Sequence, residues 1–457
     1  MNIGDLLRNI KDASFAQIVS QAKVETDAQR SSWAARGYSI PLLLEEFVQK
    51  FPGINPENIY YTPVINMPSF YFNENTLASC PFRVDLMLTN MRKMTLNGVN
   101  AVIAECEADV AAGQYASSLM NLPDRMKLEY FTKLLKKRNG DATGLYKLFF
   151  DIYNEADYGF RDMDRATLQS ILRSKTDEDH LRTKKVIRDL PETITVYRGG
   201  NTLSAPYKES YSWTLDINVA NFFACKCGEG PGYLVKGKIQ KSDIIDAFLE
   251  DRFEQEIIVA PANVHIYEII PIYGVDRLKG LIPSISRNYR TFYAKMMGLS
   301  FSHESEIHGR EHTARVLLLT QIIAEMEELR QADKEILAEA AIFHDTRRTH
   351  DFDDPWHGIK ATEYYRQTTR HPQKLVELLC TYHSLPDKEG EEAVNDYYHS
   401  NSGRVRAQKL LNIFKDADAL DRVRFRQIGE PDLTQLRLPV SQELTLVAKL
   451  TMEQLRF

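Results

Sequence analysis

The sequence predicts a multi-domain protein in which an α+β segment in the middle of the chain precedes an all-α region at the C-terminus. Three observations support this fold class. The length of 457 residues is sufficient for two or three domains, and 43% hydrophobic with 26% charged residues is an ordinary globular composition. Between residues 193 and 272 apolar residues recur with a period of two. After residue 302 they recur with the spacing of amphipathic helices.

The first part of the chain is predicted to be helical before the strands begin. Residues 1–115 mix short helical patterns with Pro- and Asn-containing segments, and they carry no motif that predicts a role. From residue 124 to 185 the pattern is helical, since Leu128, Phe131, Leu134 and Leu135 share one helix face. We assign residues 116–275 to one domain with a helical lobe and four main strands. The predicted strands are Thr193–Arg198, Tyr233–Ile239, Glu254–Val259 and Val264–Ile272.

The C-terminal third is predicted to be a helical domain, residues 301–457. Residues 276–300 contain spaced Gly, Pro and Ser and are predicted to be a linker to it. Asp333 is placed to cap the second helix, and Pro355 suits the first turn of the third. The helices predicted from apolar periodicity are Ile307–Leu329, Lys334–Thr346, Trp356–Arg366, Gln373–Ser384 and Gly403–Arg422.

Charge and cysteine content restrict the partners and the compartment. With 57 basic and 63 acidic residues the net charge is −6, so no general basic field attracts nucleic acid or an anionic membrane. Contact with a nucleic acid would have to be local, and none with a membrane is expected. The N-terminus lacks the basic and apolar pattern of a signal peptide, which predicts a cytoplasmic protein or an effector secreted without a cleavable signal. The five scattered cysteines are expected to be reduced.

Histidines concentrate in the predicted helical domain, which contains 9 of the 11. His308 and His312 are four residues apart at a helix start, so they lie on one face. His344 and Asp345 follow an apolar helix, and a carboxylate there is costly to bury without a partner. Together with His357, His383 and the acidic pair in DADALD they form a set typical of ligands for a divalent first-row metal.

Five short motifs in this region carry a family resemblance. In chain order they are HTARV (His312–Val316), AAIFHD (Ala340–Asp345), HG (His357–Gly358), YHS (Tyr382–Ser384) and DADALD (Asp416–Asp421). The series resembles the HD-domain superfamily of metal-dependent phosphohydrolases over roughly residues 303–430. This resemblance implies an all-α HD domain that holds a divalent metal, Mn, Mg, Fe, Ni or Zn, and hydrolyses a phosphoester or phosphodiester.

The resemblance also assigns residue roles. It implies that His312, His344, Asp345 and Asp418 bind the metal, and that His357 and His383 bind a second ion or act on the phosphate. His308 and Asp416 are second-choice ligands. Arg347 and Arg348 are candidates to balance charge on the phosphate, and an exposed helix end is an equally good interpretation. The remaining C-terminal histidines, His303, His350, His371 and His399, are expected at the surface.

The α+β segment contains three polar motifs in order. Arg198 ends a strand beside Gly199 and Gly200, where a ligand could approach the backbone. Ser212-Trp213-Thr214 precedes an apolar helix. Glu254-Gln255-Glu256 opens a strand, and a period of two would place both glutamates on one face. Each motif alone is common at solvated strand edges.

Taken in this order, the three motifs resemble the R-S-E class of mono-ADP-ribosyltransferases over about residues 190–272, with residues 124–185 as a helical lobe. The resemblance implies an α+β ADP-ribosyltransferase fold with NAD as substrate. It implies that Arg198, Gly199, Ser212, Thr214 and Glu256 bind NAD, and that Arg198, Ser212, Glu254 and Glu256 take part in catalysis. The acceptor of ADP-ribose would be macromolecular, with protein preferred.

Together the two resemblances predict a bifunctional enzyme of a bacterial effector or defence system, whose HD domain acts on the ADP-ribosylated product. Tethering two activities raises the effective concentration of a shared intermediate. Two alternatives remain open. One is metal-independent phosphoribosyl transfer, similar to the SidE class of ubiquitin-modifying effectors. The other is an HD domain that cleaves free or cyclic nucleotides, with the transferase-like domain as a toxin or an NAD sensor.

Overall fold

The computed structural model describes residues 49, 51–61, 69–82, 96–122, 124–155, 163–202, 204–226, 231–249, 254–305, 307–425 and 431–454. The chain divides into two compact units, Met1–Lys185 and Val186–Phe457. The boundaries at 115, 275 and 300 stay a prediction. Within the described ranges, no helix has the length and apolar character needed to cross a bilayer. Cys80, Cys106, Cys225 and Cys380 are buried and form no disulfide within the described part of the chain, and Cys227 lies outside it.

The first unit combines a small sheet with helices. Its antiparallel strands, in the order β1-β2-β3, are Ile59–Tyr61, Ser69–Phe72 and Ser79–Phe82. Helices α1 to α6 are Leu96–Ala111, Ala116–Met120, Asp124–Lys137, Leu145–Glu155, Arg165–Arg173 and Asp177–Val186. The predicted apolar face of α3 is confirmed, because Leu128, Phe131, Leu134 and Leu135 are all buried. Phe131 also meets Phe149 of α4 edge to face at 5.3 Å.

The second unit begins with a six-stranded antiparallel sheet in the order β7-β8-β5-β4-β6-β9. In chain order, strands β4 to β9 are Thr193–Asn201, Ser212–Thr214, Gly232–Gln240, Ile244–Phe248, Glu256–Val259 and His265–Ile272. All four predicted strands are present. The third begins at Glu256 rather than Glu254, because Gln255 has a φ of +43° that breaks the alternation. The prediction that a period of two places Glu254 and Glu256 on one face was therefore wrong.

Helices form the rest of this unit. After α7, Ile217–Cys225, helices α8 to α12 are Ile282–Met297, Arg310–Met326, Gln331–Phe343, His357–Thr368 and Lys374–Tyr382. Helices α13 to α16 are Asp387–Tyr397, Asn401–Asp421, Pro439–Gln442 and Thr445–Gln454. The predicted linker is not irregular, since α8 occupies most of it and buries Ile285 and Met296. Asp333 lies inside α10 instead of capping it, and its carboxylate accepts a hydrogen bond from Arg406 at 2.8 Å.

Helix α7 joins the sheet to the helices through one continuous core. Ala220 and Ala224 of α7 belong to the same buried cluster as Leu234 of β6 and Leu446 of α16. Polar contacts reinforce this packing. The side-chain Oδ1 of Asn218 accepts from the backbone N–H of Leu433 at 2.8 Å, and Oδ1 of Asn221 accepts from the Thr445 hydroxyl at 2.8 Å. The sheet and the helical region therefore form one packed structure.

Candidate metal centre

Three helices bring the predicted ligands together. His312 lies in the first turn of α9, and His344 and Asp345 follow directly on α10. Helix α10 ends in the buried apolar run Ala340–Phe343, which anchors this pair in the core. Asp418 lies in the last turn of α14. These helix ends place imidazole and carboxylate side chains on rigid elements, as a preorganised site requires.

The first group of side chains surrounds the Nε2 atom of His312. This atom lies 3.2 Å from Nε2 of His344, 3.4 Å from Oδ2 of Asp345 and 3.4 Å from Oδ1 of Asp418. His312, His344 and Asp418 can each offer one ligand atom to a single ion. The structure thus brings together all four ligands that the first predicted metal requires.

A second group adjoins the first and shares His344 and Asp345 with it. His344, Asp345 and His383 can also hold one ion. Oδ1 of Asp345 lies 2.8 Å from Nε2 of His357 and 3.8 Å from Nε2 of His383. The two Nε2 atoms of His357 and His383 are 2.8 Å apart. Asp345 therefore faces both groups with its two carboxylate oxygens.

The contacts of the Nδ1 atoms indicate that the Nε2 atoms of these histidines are available as ligands. In each of the four histidines Nδ1 lies next to an acceptor outside the centre. These acceptors are Asp421 Oδ2 at 2.7 Å for His312, Ala341 O at 2.7 Å for His344, Cys380 O at 2.8 Å for His383 and Asp354 O for His357. A carbonyl only accepts, so Nδ1 must donate, and in a neutral ring the Nε2 lone pair then points inward. Opposed lone pairs of this kind fit a cation between them.

The comparison with known families agrees with this geometry. A family model for the HD domain matches residues 309–423. The C-terminal helical region is therefore similar to an HD domain. This result confirms the C-terminal part of the predicted fold and its helical character. No curated protein and no solved structure matches the chain.

The protonation states of His344, Asp345 and Asp418 suit metal binding. Burial lowers the pKa of His344 to about 3, so this imidazole is neutral near pH 7 and can act as a ligand. Burial raises the pKa of the Asp418 carboxyl, but the nearby His312 and His344 outweigh this effect and lower the pKa to about 2. Asp345 is likewise held well below the usual carboxyl pKa by His344 and His312, against the effect of burial. The carboxylates are therefore charged, which is the ligating form.

Asp421 contacts the candidate centre, and the sequence motifs gave it no role. Its carboxylate orients His312, and it is held in turn by Arg315 Nε at 2.6 Å and Arg424 Nη1 at 3.1 Å. All of these groups are largely buried. A signal was available in the spacing, because Arg315 follows His312 and Asp421 follows Asp418 by three residues, which puts each pair on one helix face.

Asp421→Asn should weaken metal binding without removing a ligand. The neutral amide loses its charged partnership with Arg315 and can no longer fix the His312 tautomer, and loss of such outer partners costs about 10–100-fold in metal affinity. Titration of metal-free protein with Mn²⁺ measures the change. Asp396→Asn, on the exposed side of α13, is the matched control. Equal affinity of the Asp421 variant and wild type would contradict the role of Asp421.

Two second-choice ligands lie elsewhere. His308 lines the cavity described below but belongs to neither candidate group, and its Nδ1 is 3.0 Å from Asp351 Oδ1. Burial lowers the pKa of His308 to about 4. Asp416 is turned away from the centre, and its carboxylate accepts backbone hydrogen bonds from Arg437 and Leu438, both at 2.9 Å. Neither residue belongs to a candidate group, and their roles as second-choice ligands stay predictions.

The two arginines after Asp345 differ in placement. Arg348 is buried, lines the cavity and has Nη1 3.2 Å from Nδ1 of His357. Arg347 points away, with its guanidinium 3.3 Å from the centre of the Tyr364 ring and a hydrogen bond to the Ser300 carbonyl at 2.7 Å. Of the two arginines, Arg348 alone lines the cavity.

The four histidines expected at the surface are mostly there. His350, His371 and His399 are exposed. His303 is only half-buried, and its Nε2 is 3.2 Å from Oδ1 of Asp351. This contact comes from the fold, because the two residues are far apart in sequence, so local context did not reveal it.

A cavity of about 700 Å³ opens onto the centre. Asp345, Asp418, His312, His357 and His383 form part of its wall. Basic side chains from several elements line it as well: Arg348, Lys415, Arg422, Arg424 and Arg437. The wall also contains Asp351, Asp353, Asp354 and Asp387, and Asp387 forms ion pairs with Lys415 and Arg437. Cations without such a pair among the described residues, such as Arg348, would suit an anionic ligand.

Gly358 is needed for the approach of α11 to α12. A methyl group in place of its hydrogen would lie 2.3 Å from the carbonyl oxygen of Cys380, which is the acceptor for His383, and 3.3 Å from the His383 ring. Gly358→Ala should therefore separate the helices and disturb His357 and His383, at a cost of about 1–3 kcal/mol in the free energy of unfolding.

Urea unfolding of the Gly358→Ala variant tests this expectation, and a Mn²⁺ titration should show weaker binding. Gly280→Ala is the matched control, because no atom lies within 4 Å of the position that its methyl group would take. An unchanged unfolding free energy for Gly358→Ala would mean that α11 and α12 separate without cost.

The three polar motifs of the sheet lie on adjacent strands. Arg198 on β4 donates from Nη1 to the carbonyl oxygen of Ser212 on β5 at 2.6 Å. The Ser212 hydroxyl donates to the carboxylate of Glu256 on β8. Glu256 is only 3% exposed. A continuous chain of hydrogen bonds thus links Arg198, Ser212 and Glu256 across three adjacent strands.

The other residues predicted to bind NAD have structural contacts. A methyl group at Gly199 would overlap the Ala220 carbonyl oxygen, so this glycine allows α7 to pack on β4 rather than a ligand to approach. Thr214 is buried, and its hydroxyl donates to the Glu254 carbonyl at 2.6 Å. Glu254 precedes β8 in the chain. The NAD-binding roles of Gly199 and Thr214 and the catalytic role of Glu254 stay predictions.

Proposed function

We propose that the HD domain is a metal-dependent phosphohydrolase that hydrolyses a phosphoester or phosphodiester. One observation carries the proposal: four imidazoles, each hydrogen-bonded at Nδ1 to an acceptor outside the centre, direct Nε2 toward the buried carboxylate of Asp345 and the half-buried carboxylate of Asp418. His312, His344, Asp345 and Asp418 would hold the first ion, and His357 and His383 a second one with Asp345. The donor set of imidazole and carboxylate fits Mn, Fe, Ni or Zn better than Mg or Ca.

The side chains around the centre would bind and orient the phosphate. A divalent cation, when bound, supplies Lewis-acid polarisation of the phosphoryl group and activation of water. Arg348 supports the developing negative charge, because its own contacts are the carbonyls of His350 and Phe352 and the ring of His357. No carboxylate neutralises this arginine among the described residues, so its charge is available to a ligand.

A chelation experiment tests the metal requirement. Wild-type protein is treated with a chelator, dialysed and assayed for release of phosphate or alcohol from phosphomonoesters, phosphodiesters and free and cyclic nucleotides. We expect activity to disappear after chelation and to return with Mn²⁺. Full activity of the metal-free protein would overturn the proposal and favour metal-independent phosphoribosyl transfer.

We propose as a second function that the sheet transfers ADP-ribose from NAD to a macromolecular acceptor. The hydrogen-bonded chain Arg198–Ser212–Glu256 supports it. Cleavage of the nicotinamide–ribose bond builds positive charge on the sugar, which a held carboxylate stabilises, and a guanidinium suits the pyrophosphate. Modification of a protein in a bacterial effector or defence system is the biological setting that we favour.

Incubation of the full chain with adenine-labelled NAD and a cell lysate tests this second function. We expect label on macromolecules and release of nicotinamide. If the HD domain trims the adduct, mass spectrometry will show a lighter modification in the presence of Mn²⁺ than after chelation. Intact NAD after long incubation, with every acceptor class present, would overturn the transferase proposal.

A further inference from the structure

Two cysteines of the first unit face each other where the small sheet packs on α1. Cys80 lies in β3 and is fully buried, and Cys106 lies on α1 with 8% of its surface exposed. Val99 and Val110 share the buried face of α1 with Cys106. The two sulfurs are not bonded to each other in the structure. The first unit contains none of the residues of the two proposed active sites.

The contacts of the Cys80 thiol place it against the turn of α1 that carries Cys106. The Sγ atom of Cys80 donates to the carbonyl oxygen of Val102 at 3.8 Å. Val102 precedes Cys106 by four residues, and a helical side chain leans toward the turn before its own, so the Cys106 sulfur lies over the same turn. The two thiols also form a side-chain hydrogen bond with each other. They are therefore direct neighbours, although one is on a strand and the other on a helix.

The contacts on both sides of this pair hold β3 against α1. Asn73, in the turn before β3, donates from its side-chain amide to the carboxylate of Glu107 at 3.1 Å, and Glu107 directly follows Cys106. At the start of β3, the backbone N–H of Ser79 donates to the hydroxyl of Ser118 on α2 at 3.2 Å. A disulfide requires a close and specific approach of two cysteine backbones. These contacts fix such an approach before any bond has formed.

The hydrogen bond makes the two thiols chemically unequal. The pKa of Cys106 is lowered, mainly because the Cys80 thiol hydrogen-bonds to its sulfur. The pKa of Cys80 is raised by the same interaction and by burial. A coupled pair of thiols loses its first proton easily and its second with difficulty, so Cys106 becomes the thiolate while Cys80 keeps its proton. A thiolate beside a second thiol is typical of cysteines that react with oxidants.

We propose that Cys80 and Cys106 form a peroxide-sensitive redox site that closes into a reversible disulfide. The Cys106 thiolate attacks one oxygen of hydrogen peroxide and the O–O bond breaks, which leaves Cys106 as a sulfenic acid. The departing hydroxide takes up the proton that Cys106 released. The Cys80 sulfur then attacks the Cys106 sulfur, the S–O bond breaks, and water leaves with the Cys80 proton. Two thiols are oxidised, and one peroxide is reduced to two waters.

The disulfide would join β3 to α1 and close residues 81–105 into a loop. A bond of this kind stabilises a protein mainly by restricting its unfolded chain. The oxidised protein should therefore unfold at a higher temperature than the reduced protein, and dithiothreitol should reverse the difference. This redox site depends on neither the phosphohydrolase nor the transferase activity.

Mass spectrometry of the full wild-type chain tests the site. Reduced protein is treated with hydrogen peroxide, the remaining thiols are alkylated under denaturing conditions, and peptides are analysed without reduction. We expect a cross-linked pair of peptides containing Cys80 and Cys106, lighter by two hydrogen atoms than the reduced peptides together and separated by dithiothreitol. The pair should lose its alkylation about tenfold faster than Cys380, whose thiol pKa burial raises.

Three serine variants distinguish the roles of the cysteines. Cys80→Ser should leave Cys106 as a sulfenic acid that dimedone labels, Cys106→Ser should leave Cys80 unlabelled, and the matched control Cys380→Ser should still form the cross-link. Equal labelling of the first two variants would overturn the assigned order of reaction. The proposal as a whole would fail if Cys80 and Cys106 stayed fully alkylated at a peroxide dose that oxidises the exposed Met297, or if either formed a disulfide with a third cysteine instead.

Discussion

Asp345→Asn should abolish metal binding and phosphoester hydrolysis together. Asp345 is the residue whose two oxygens face both ligand groups, with Oδ2 3.4 Å from His312 Nε2 and Oδ1 2.8 Å from His357 Nε2. The amide is nearly isosteric but removes the negative charge that offsets a divalent cation. We expect a loss of Mn²⁺ affinity larger than the ~100-fold that loss of an outer partner can cost. Elemental analysis of purified protein and initial hydrolysis rates measure the two effects.

The Asp345 experiment needs a control for folding and a graded comparison. Near-ultraviolet circular dichroism should match that of wild type, because the amide has nearly the same shape as the carboxylate in a site that α9, α10 and α14 hold from the core. Asp421→Asn should fall between wild type and Asp345→Asn, and Asp396→Asn should match wild type. Retention of stoichiometric metal and full hydrolysis by Asp345→Asn would refute the assignment of the centre.

Glu256→Gln should abolish consumption of NAD while leaving the HD centre intact. The amide can still accept from the Ser212 hydroxyl, so the strand pairing of β5 and β8 persists. The negative charge is lost at the position where the ribose would become positive, and loss of one such preorganised group costs about 10²–10³-fold in rate. Release of nicotinamide and transfer of label from NAD are the measurements.

Two comparisons make the Glu256 result specific. Glu209→Gln changes an exposed glutamate of the same unit and should leave NAD consumption unchanged. The Glu256 variant should also keep its Mn²⁺ affinity, since Glu256 does not line the cavity of the HD domain. Full NAD consumption by Glu256→Gln would remove the transferase proposal and would leave the phosphohydrolase proposal untouched.

The sequence allowed prediction of the ligands that local motifs carry. His344 and Asp345 end an apolar helix, and His312 begins one, so their environment could be read from neighbouring residues. The orientation of Asp416 could not be predicted from its neighbours in sequence, because its carboxylate binds the backbone N–H of Arg437, which comes after α14 in the chain. Helix α8 was missed because scattered Gly, Pro and Ser outweighed its apolar positions, two of which, Ile285 and Met296, are buried in the core.

In the sheet, too, the features set by local sequence were predictable and those set by distant residues were not. Period-two patterns located the main strands, because each pattern reports the local environment of its own residues. The turn at Gln255 and the packing of Ala220 on Gly199 were not predictable, since the first depends on one backbone dihedral and the second on a helix that follows later in the chain. Both corrections concern residues next to the predicted site, where small displacements change which side chains can face a ligand.

The continuous core around α7 has a consequence for how this protein can be dissected and how it can have evolved. A fragment that starts near residue 301 would strip Ala220 and Ala224 from the cluster containing Leu446, and would remove the side-chain acceptor of the Leu433 N–H. Such a fragment would carry the full set of candidate ligands and still be expected to aggregate. Recombination that replaced only the sheet or only the helical region would disrupt this shared core. We therefore expect the sheet and the helical region to be inherited together.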